Sequence, residues 1–230
     1  MPSRNTIKIY IKDGIYHIYN RGVEKRIIFL DEQDYKIFLY YLKSYLTPAP
    51  TIELRRSDLQ NLNEEPQKIL KPDSRWRSDL HKELHKEIKL LSYCLMPNHF
   101  HLIMKQSTER AIVEFMRRLT NAYVKYFNDK YDRTGPLFQG RYKAVLIDSE
   151  SYFLHLAYYI HYNPVELFKN DKDAIEKTEN YPYSSYADYL GKRNTKWIDK
   201  ELLMEDFKKG EKEIENIEES REILGKLTLE

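Results

Sequence analysis

The sequence contains one cysteine, seven glycines and no long apolar run, and these shortages exclude several classes of protein. The lone Cys94 cannot form an internal disulfide or a multi-cysteine zinc or iron-sulfur site, which fits a reducing compartment. No apolar stretch approaches the ~18 residues of a membrane span, and the first ten residues lack a signal-peptide core. We therefore expect a soluble, cytoplasmic protein with no membrane partner.

The charge balance is close to neutral, but its distribution along the chain is uneven. Residues 105–144 contain nine basic and four acidic residues, whereas residues 198–230 contain eleven acidic and six basic residues. Together with 20 tyrosines, the basic part offers the phosphate contacts and stacking surfaces that are typical of single-stranded nucleic-acid binding. The same pattern also fits an ordinary solvated surface, so the charge alone leaves both interpretations open.

Hydrophobic spacing and turn residues predict the element order βαββαβ followed by a further helix. Strands are predicted over 14–22, 87–96, 99–105 and 138–147, and helices over 31–46, 109–131 and from 148 to Pro164. This order is typical of a ferredoxin-like α+β fold, an antiparallel sheet with helices on one face. We expect one domain over residues 8–190 with a polar, proline-broken insertion at 47–87, and an acidic helical tail at 198–230.

Two histidines form the most specific local motif, in the sequence Leu-Met-Pro-Asn-His-Phe-His that ends at His101. Side chains two positions apart on a strand share a face, so His99 and His101 can direct two imidazoles at one point. Imidazole binds Mn²⁺ and Zn²⁺ well, but two ligands do not complete a site. A third ligand must therefore come from elsewhere in the chain, or the two histidines are ordinary sheet residues.

The terminal predicted helix offers a nucleophile and a ligand on one face. Tyr159 and Asn163 are four residues apart, which makes them neighbours on a helix, and an asparagine amide oxygen can bind a hard cation. The adjacent tyrosines Tyr158 and Tyr162 are alternative nucleophiles. In a tyrosine-rich chain these side chains can also be half-buried packing residues.

Four segments taken together resemble a known family. They are residues 95–104 around the histidine pair, residues 123–128, residues 133–143 and residues 159–165. In this order and combination they resemble the single-tyrosine HUH transposases, and among those the REP-associated tyrosine transposases. The resemblance covers about residues 8–190, and the insertion and acidic tail depart from it.

The resemblance implies an activity and a set of site residues. In that family a ferredoxin-like domain binds a DNA hairpin, a His-hydrophobic-His pair and a third polar side chain hold Mg²⁺ or Mn²⁺, and a tyrosine cuts single-stranded DNA. By position, His99 and His101 match the metal pair, Asn163 the third ligand and Tyr159 the nucleophile. The implied protein is a metal-dependent endonuclease and transposase that cleaves and rejoins DNA through a 5′-phosphotyrosine.

Five residues are expected to lie at the DNA. Three of them flank the predicted fourth strand and suit phosphate contacts, namely Arg133, Arg141 and Lys143. His17 and Arg21, on the first strand, are expected near the DNA as well. The sequence leaves open whether the active unit is a monomer or a homodimer.

Three other function classes are compatible with parts of the sequence. A non-catalytic RNA or DNA hairpin binder would use the sheet aromatics to stack bases, but it leaves the histidine pair and the Tyr159–Asn163 spacing unexplained. A phosphoesterase with paired His-x-Thr/Ser motifs is disfavoured, because none of the seven histidines has Thr or Ser two residues later. The acidic tail could also make this an interaction protein.

Overall fold

The computed structural model describes residues 9–48 and 83–210 of the chain. The strands and helices in these ranges are β1 (Ile15–Arg21), α1 (Glu32–Leu46), α2 (Leu84–Glu87), β2 (Ile88–Met96), β3 (His99–Gln106), α3 (Ala111–Lys130), β4 (Lys143–Ile147), α4 (Glu150–Tyr162), α5 (Ala174–Glu179), α6 (Tyr186–Tyr189) and α7 (Glu201–Gly210). Two 3₁₀ turns lie at Val23–Lys25 and Asn163–Leu167. Within these ranges, no helix is long and apolar enough to cross a membrane.

The four strands form one antiparallel sheet in the order β2-β3-β1-β4. Pro97 and Asn98 form the tight turn of the β2–β3 hairpin. The sheet therefore places β1 and β3 at its centre and β2 and β4 at its edges. This arrangement confirms the predicted α+β fold with a ferredoxin-like βαββαβ order.

Side-chain alternation along the central strands divides the sheet into two faces. On one face, Ile18 of β1 and Phe100 of β3 are fully buried in a core that also contains residues of α1 and α3. The ring of Phe38, on α1, lies 5.2 Å from the ring of Phe100. The two helices within the βαββαβ unit thus lie on one face, as predicted, and the odd-numbered residues of β1 and β3 point to the other.

The opposite face is covered by α4, which packs Leu156 and Ile160 against Ile103 of the sheet. The last described helix, α7, contributes Leu203 and Phe207 to the same core. The beginning of the predicted acidic tail therefore packs against the body of the protein, while residues 211–230 lie outside the described residues. The domain boundaries at 8–190 and 198–230 stay predictions.

The fourth strand is shorter than predicted, since it begins at Lys143 instead of Phe138. Gly140 has a φ of +85°, a left-handed conformation that interrupts an extended chain, and its N–H donates to Phe138 O at 2.8 Å. Phe138 forms an isolated bridge with Gly22, and its side chain is buried. The chain thus turns between Phe138 and β4.

Capping residues fix the starts of the two helices that flank the sheet. Asp31, the N-cap of α1, accepts the N–H of Asp34 at 3.1 Å as one half of a capping box. Ser149 caps α4 by accepting the N–H of Tyr152 at 3.3 Å. The helix predicted to stop at Pro164 ends at Tyr162 and continues as a 3₁₀ turn.

Residues 49–82 of the predicted insertion lie outside the described residues.

Candidate active site

The histidine pair lies on one face of β3, as the alternation of a strand requires. The rings of His99 and His101 are 5.0 Å apart between centroids and nearly perpendicular. Phe100, between them, points into the opposite core. The predicted convergence of the two imidazoles on one face is therefore present, and this is the face that α4 covers.

His99 is held by the turn residue that precedes it. Its Nδ1 lies 2.6 Å from the Asn98 amide oxygen, and because an amide oxygen only accepts, Nδ1 is the protonated nitrogen. Burial lowers the pKa of His99 to about 4, an effect that a hydrogen bond with the Asn163 side chain partly offsets. At neutral pH the Nε2 of His99 thus carries a lone pair that can bind a cation.

His101 is the more buried member of the pair, with 7% of its surface exposed. Burial, followed by the neighbouring His99 and His17, lowers the pKa of His101 well below its usual range. Its Nδ1 lies 2.8 Å from Nε2 of His17, and both rings are stacked with centroids 5.1 Å apart. The Nδ1 atom is therefore occupied by a hydrogen bond, and Nε2 is the atom left for a ligand.

Helix α4 brings the predicted nucleophile and third ligand to the same face. The ring of Tyr159 meets the ring of His101 edge-on, with centroids 5.7 Å apart. Asn163, one turn later, donates its amide N–H to Tyr159 O at 2.9 Å, and its side chain also contacts His99. The structure thus brings together two pairs of residues that are far apart in the sequence.

The donor set fits a divalent cation, although it is not a cluster of strong ligands. Among the described residues, no group of three His, Cys, Asp or Glu side chains could hold a metal ion. The candidate set consists instead of two imidazole nitrogens and the Asn163 amide oxygen. Both histidines have Nδ1 engaged by a neighbour, the arrangement found for metal-binding histidines, and the Asn163 side chain contacts His99.

Tyr158 and Tyr162, the alternative nucleophiles, do not face the histidines. Tyr158 is buried, stacks on Phe207 and donates its hydroxyl to Phe207 O at 2.5 Å. Tyr162 is half-buried and its hydroxyl accepts a hydrogen bond from Tyr186 at 3.1 Å. Of the three tyrosines, Tyr159 is the one whose ring contacts the histidine pair.

The residues expected at the DNA occupy different environments. Arg21 and Arg141 are exposed, Arg21 donating to the Gln139 side chain at 3.2 Å. Arg133 donates to the Asn128 side chain at 3.2 Å, and Lys143 lies over the ring of Tyr19 at 5.7 Å. These four remain predicted DNA contacts.

His17 differs from that expectation. Its side chain is fully buried and hydrogen-bonded to His101, so in this structure it has no surface that DNA could touch. The reason is its position on the central strand β1, beneath α4, on the face that carries the histidine pair. We correct its expected DNA contact to a contact with the candidate metal pair.

A groove of about 990 Å³ lies between α3 and the loop that precedes β4. Three basic residues line it, Arg117, Lys125 and Arg141, together with tyrosines Tyr10 and Tyr142 and no acidic residue. Arg117 and Lys125 also form ion pairs on α3 itself. The groove therefore offers positive charge and aromatic surface, and most of its lining belongs to the basic segment, residues 105–144.

Sequence reasoning missed two residues of the site. Asn98 orients His99 through a hydrogen bond. The ring of Tyr19 stacks on the ring of His17, with centroids 4.6 Å apart. Burial raises the pKa of Tyr19, and the nearby Tyr159 hydroxyl adds a smaller effect in the same direction. Tyr19 is paired with His101 across β1 and β3. The sequence does place Tyr19 on the same strand face as His17, two residues away. This spacing indicates a site residue only when the register between β1 and β3 is known.

Comparisons with known proteins show a similarity in sequence and in fold. Residues 78–163, which include all four site residues, match the family model of IS200-like transposases. A solved structure of a REP-associated tyrosine transposase bound to a REP hairpin shares the fold, with a TM-score of 0.50 at 14% identity over 80% of this chain and 84% of that chain. No curated protein matches the chain. The resemblance inferred from the motifs is confirmed, and the fold is similar to that of the solved transposase.

Proposed function

We propose that this protein is a metal-dependent, single-stranded DNA endonuclease and transposase that binds a DNA hairpin and works through a 5′-phosphotyrosine. The observation that carries the proposal is the edge-on contact of Tyr159 with His101, on the face where His99 and Asn163 also lie. The match to the IS200-like family model supports it.

The donor atoms of this face would suit a divalent cation. His99 and His101 would hold it through Nε2, and Asn163 through its amide oxygen. The two imidazoles favour Mn²⁺, because Mg²⁺ prefers oxygen ligands and would need further oxygens from the DNA. When bound, the ion would supply positive charge to the nonbridging oxygens of the scissile phosphate.

Tyr159 supplies the nucleophile in this proposal. Attack of its hydroxyl oxygen on a backbone phosphorus forms a bond to the 5′-phosphate and breaks the bond to the 3′ oxygen, which leaves as a hydroxyl with the proton that the phenol gave up. A phenol with the ordinary pKa of ~10 is only about 0.1% ionised at pH 7, so nearby positive charge favours the reactive form. Lys143, over the Tyr19 ring, lies on this face.

Cleavage conserves the energy of the broken bond in the phosphotyrosine. A 3′ hydroxyl from a second DNA end can attack the same phosphorus, release Tyr159 and join the two DNA segments. Side chains of α4 and of the following turn hold Tyr159 in place during this exchange. Asn163 is hydrogen-bonded to the Tyr159 backbone, and the neighbours Tyr158 and Ile160 are buried. Strand transfer is thus the reverse of cleavage at the same residue.

The DNA is proposed to pass along the basic loop that precedes β4. Lys143 lies on the histidine face, while Arg141 lines the groove beside α3, so the two positions can contact successive phosphates around the sheet edge. Arg21 and Arg133 are the further phosphate contacts in this proposal. The single-stranded segment of the DNA would reach Tyr159, and the hairpin would lie against these basic residues.

The decisive experiment is covalent capture on single-stranded DNA. The full chain is incubated with Mn²⁺ and a pool of labelled hairpins with randomised loops and flanks, and adducts that survive denaturation are resolved on a gel. We expect an adduct with the native protein and none with Tyr159→Phe, which retains the ring, the packing and the hairpin affinity. Hairpin binding without any adduct would favour the non-catalytic binder and overturn the proposed chemistry.

A further inference from the structure

His17 occupies a buried position that packing does not explain. The residue is fully buried on the central strand β1, and its ring is stacked on both Tyr19 and His101. Within the described residues, its Nδ1 is buried without a hydrogen-bond partner. Burying a polar atom without a partner destabilises a fold, so an apolar side chain would pack here at a lower cost.

The Nε2 atom of His17 has a specific contact, 2.8 Å from Nδ1 of His101. A neutral imidazole carries one N–H and one lone pair, so one of these two nitrogens donates and the other accepts. If His101 donates from Nδ1, its Nε2 keeps a lone pair. If His17 donates instead, the proton of His101 resides on Nε2 and a cation cannot bind there.

We infer that His17 is a positioning residue that accepts the Nδ1–H of His101 and so holds His101 in the tautomer whose Nε2 binds the divalent cation. This inference rests on the proposed function, because it concerns the metal site of that reaction. His17 itself is not a ligand in this scheme, since its Nε2 faces Nδ1 of His101, the nitrogen on the ring side away from the proposed cation.

The other histidine of the pair has the same arrangement with a different partner. Asn98 accepts the Nδ1–H of His99 at 2.6 Å, which leaves Nε2 of His99 with the lone pair. His99 therefore has Asn98, in the turn, as the neighbour of its Nδ1. His101 has His17, on the adjacent strand, as the neighbour of its Nδ1. Residues at this second layer usually fix the ring orientation and tautomer of metal-binding histidines.

Strand register makes the His17 contact possible. His17 lies opposite Ile103, and Tyr19 lies opposite His101, so His17 and His101 are diagonal neighbours on one face. The Tyr19 ring stacks on His17 and on His101, with centroids 4.6 and 5.8 Å away. The three rings thus restrict each other's rotation and hold the donor and acceptor in line.

The test compares two substitutions of His17 on the full chain without DNA. His17→Phe keeps a ring but removes the acceptor, whereas His17→Gln places an amide oxygen near the position of Nε2. We expect calorimetric Mn²⁺ affinity to fall by about 10-fold to 100-fold in His17→Phe and to be largely restored in His17→Gln. His161→Phe is the control, because His161 is equally buried on α4 but bonds Ser92 and Ser185.

Nitrogen NMR of the metal-free native protein provides a measurement that needs no variant to fold. We expect His101 to be protonated at Nδ1 and not at Nε2. A proton on Nε2, or unchanged Mn²⁺ affinity in His17→Phe, would overturn the inference while leaving metal-dependent cleavage intact. If the native protein binds no Mn²⁺ and still cleaves, the metal role fails and this inference fails with it.

Discussion

The ring of His101 lies edge-on to the ring of Tyr159 within one chain, with their centroids 5.7 Å apart and their planes at 86°. Helix α4 therefore crosses the sheet so that the nucleophile of the proposed reaction faces the metal pair of the same molecule. Asn163 extends this arrangement, because it contacts both His99 and the backbone of Tyr159. A single chain thus brings together the four residues assigned to the proposed cleavage.

This geometry predicts an active site formed in cis. A mixture of His101→Ala and Tyr159→Phe proteins should form no DNA adduct above the level of either variant alone, because neither chain holds both residues. The measurement is the covalent adduct on single-stranded hairpin DNA with Mn²⁺, with native protein at half concentration as the positive control. Restored adduct formation in the mixture would mean that two chains exchange α4.

Removal of the metal should stop cleavage and leave binding largely unchanged. We expect His99→Ala and His101→Ala each to lower the cleavage rate roughly 100-fold or more, the scale on which loss of charge stabilisation at a reacting phosphate is felt. Hairpin affinity, measured by fluorescence anisotropy, should change little because the basic residues remain. Cleavage that continues undiminished in a chelator would contradict the metal role.

The three tyrosines of α4 should behave differently. Tyr158→Phe and Tyr162→Phe should both retain adduct formation, because their hydroxyls bond Phe207 and Tyr186 and neither ring contacts the histidine pair. Peptide mapping of the native adduct should place the DNA on Tyr159. DNA attached to Tyr158 or Tyr162 would show that α4 must rotate before reaction, since one residue turns a helix by about 100°.

Local patterns were sufficient to predict the main parts of the site. The alternation of His99 and His101 fixes a shared strand face, and the four-residue spacing of Tyr159 and Asn163 fixes a shared helix face, because both follow from backbone periodicity alone. The family resemblance implies that the strand face and the helix face meet, but only the folded chain shows it. The fold order was predictable for the same local reason.

Non-local pairing was not predictable from these patterns. The role of His17 depends on the register between β1 and β3, which places it diagonally from His101, and nothing in its own segment indicates that partner. The start of β4 was predicted five residues too early because Phe138 continues the apolar pattern. The backbone at Gly140 is left-handed and interrupts the strand, and the apolar pattern does not indicate this turn.

Salt dependence should identify the residues that contact phosphates. Each neutralised phosphate releases counterion, so Arg141→Ala and Lys143→Ala should each weaken hairpin binding and lower the slope of log affinity against log salt by up to about one unit. Lys36→Ala is the control, because Lys36 lies on α1 and is paired with Glu32 at 2.8 Å. An affinity that stays constant between low and high salt would show that the basic segment does not bind the DNA backbone.

Stability should depend on a buried carboxylate far from the chemistry. Asp34 is fully buried and accepts hydrogen bonds from Lys130 at 2.8 Å and from the hydroxyls of Tyr126 and Tyr131 at 2.9 and 2.8 Å, which ties α1 to α3. Breaking such a buried ion pair from one side costs about 3 to 5 kcal/mol, so Asp34→Ala should lower the unfolding free energy by that amount in urea.

The matched control for this prediction lies two residues earlier on the same helix. Glu32 pairs with Lys36 at the surface, where both side chains are more than two thirds exposed, so Glu32→Ala should cost about 0.5 kcal/mol or less. Both substitutions remove one carboxylate from the first turn of α1, and they differ in burial and in the number of partners lost. Equal unfolding free energies for the two variants would show that the Asp34 network does not hold α1 against α3.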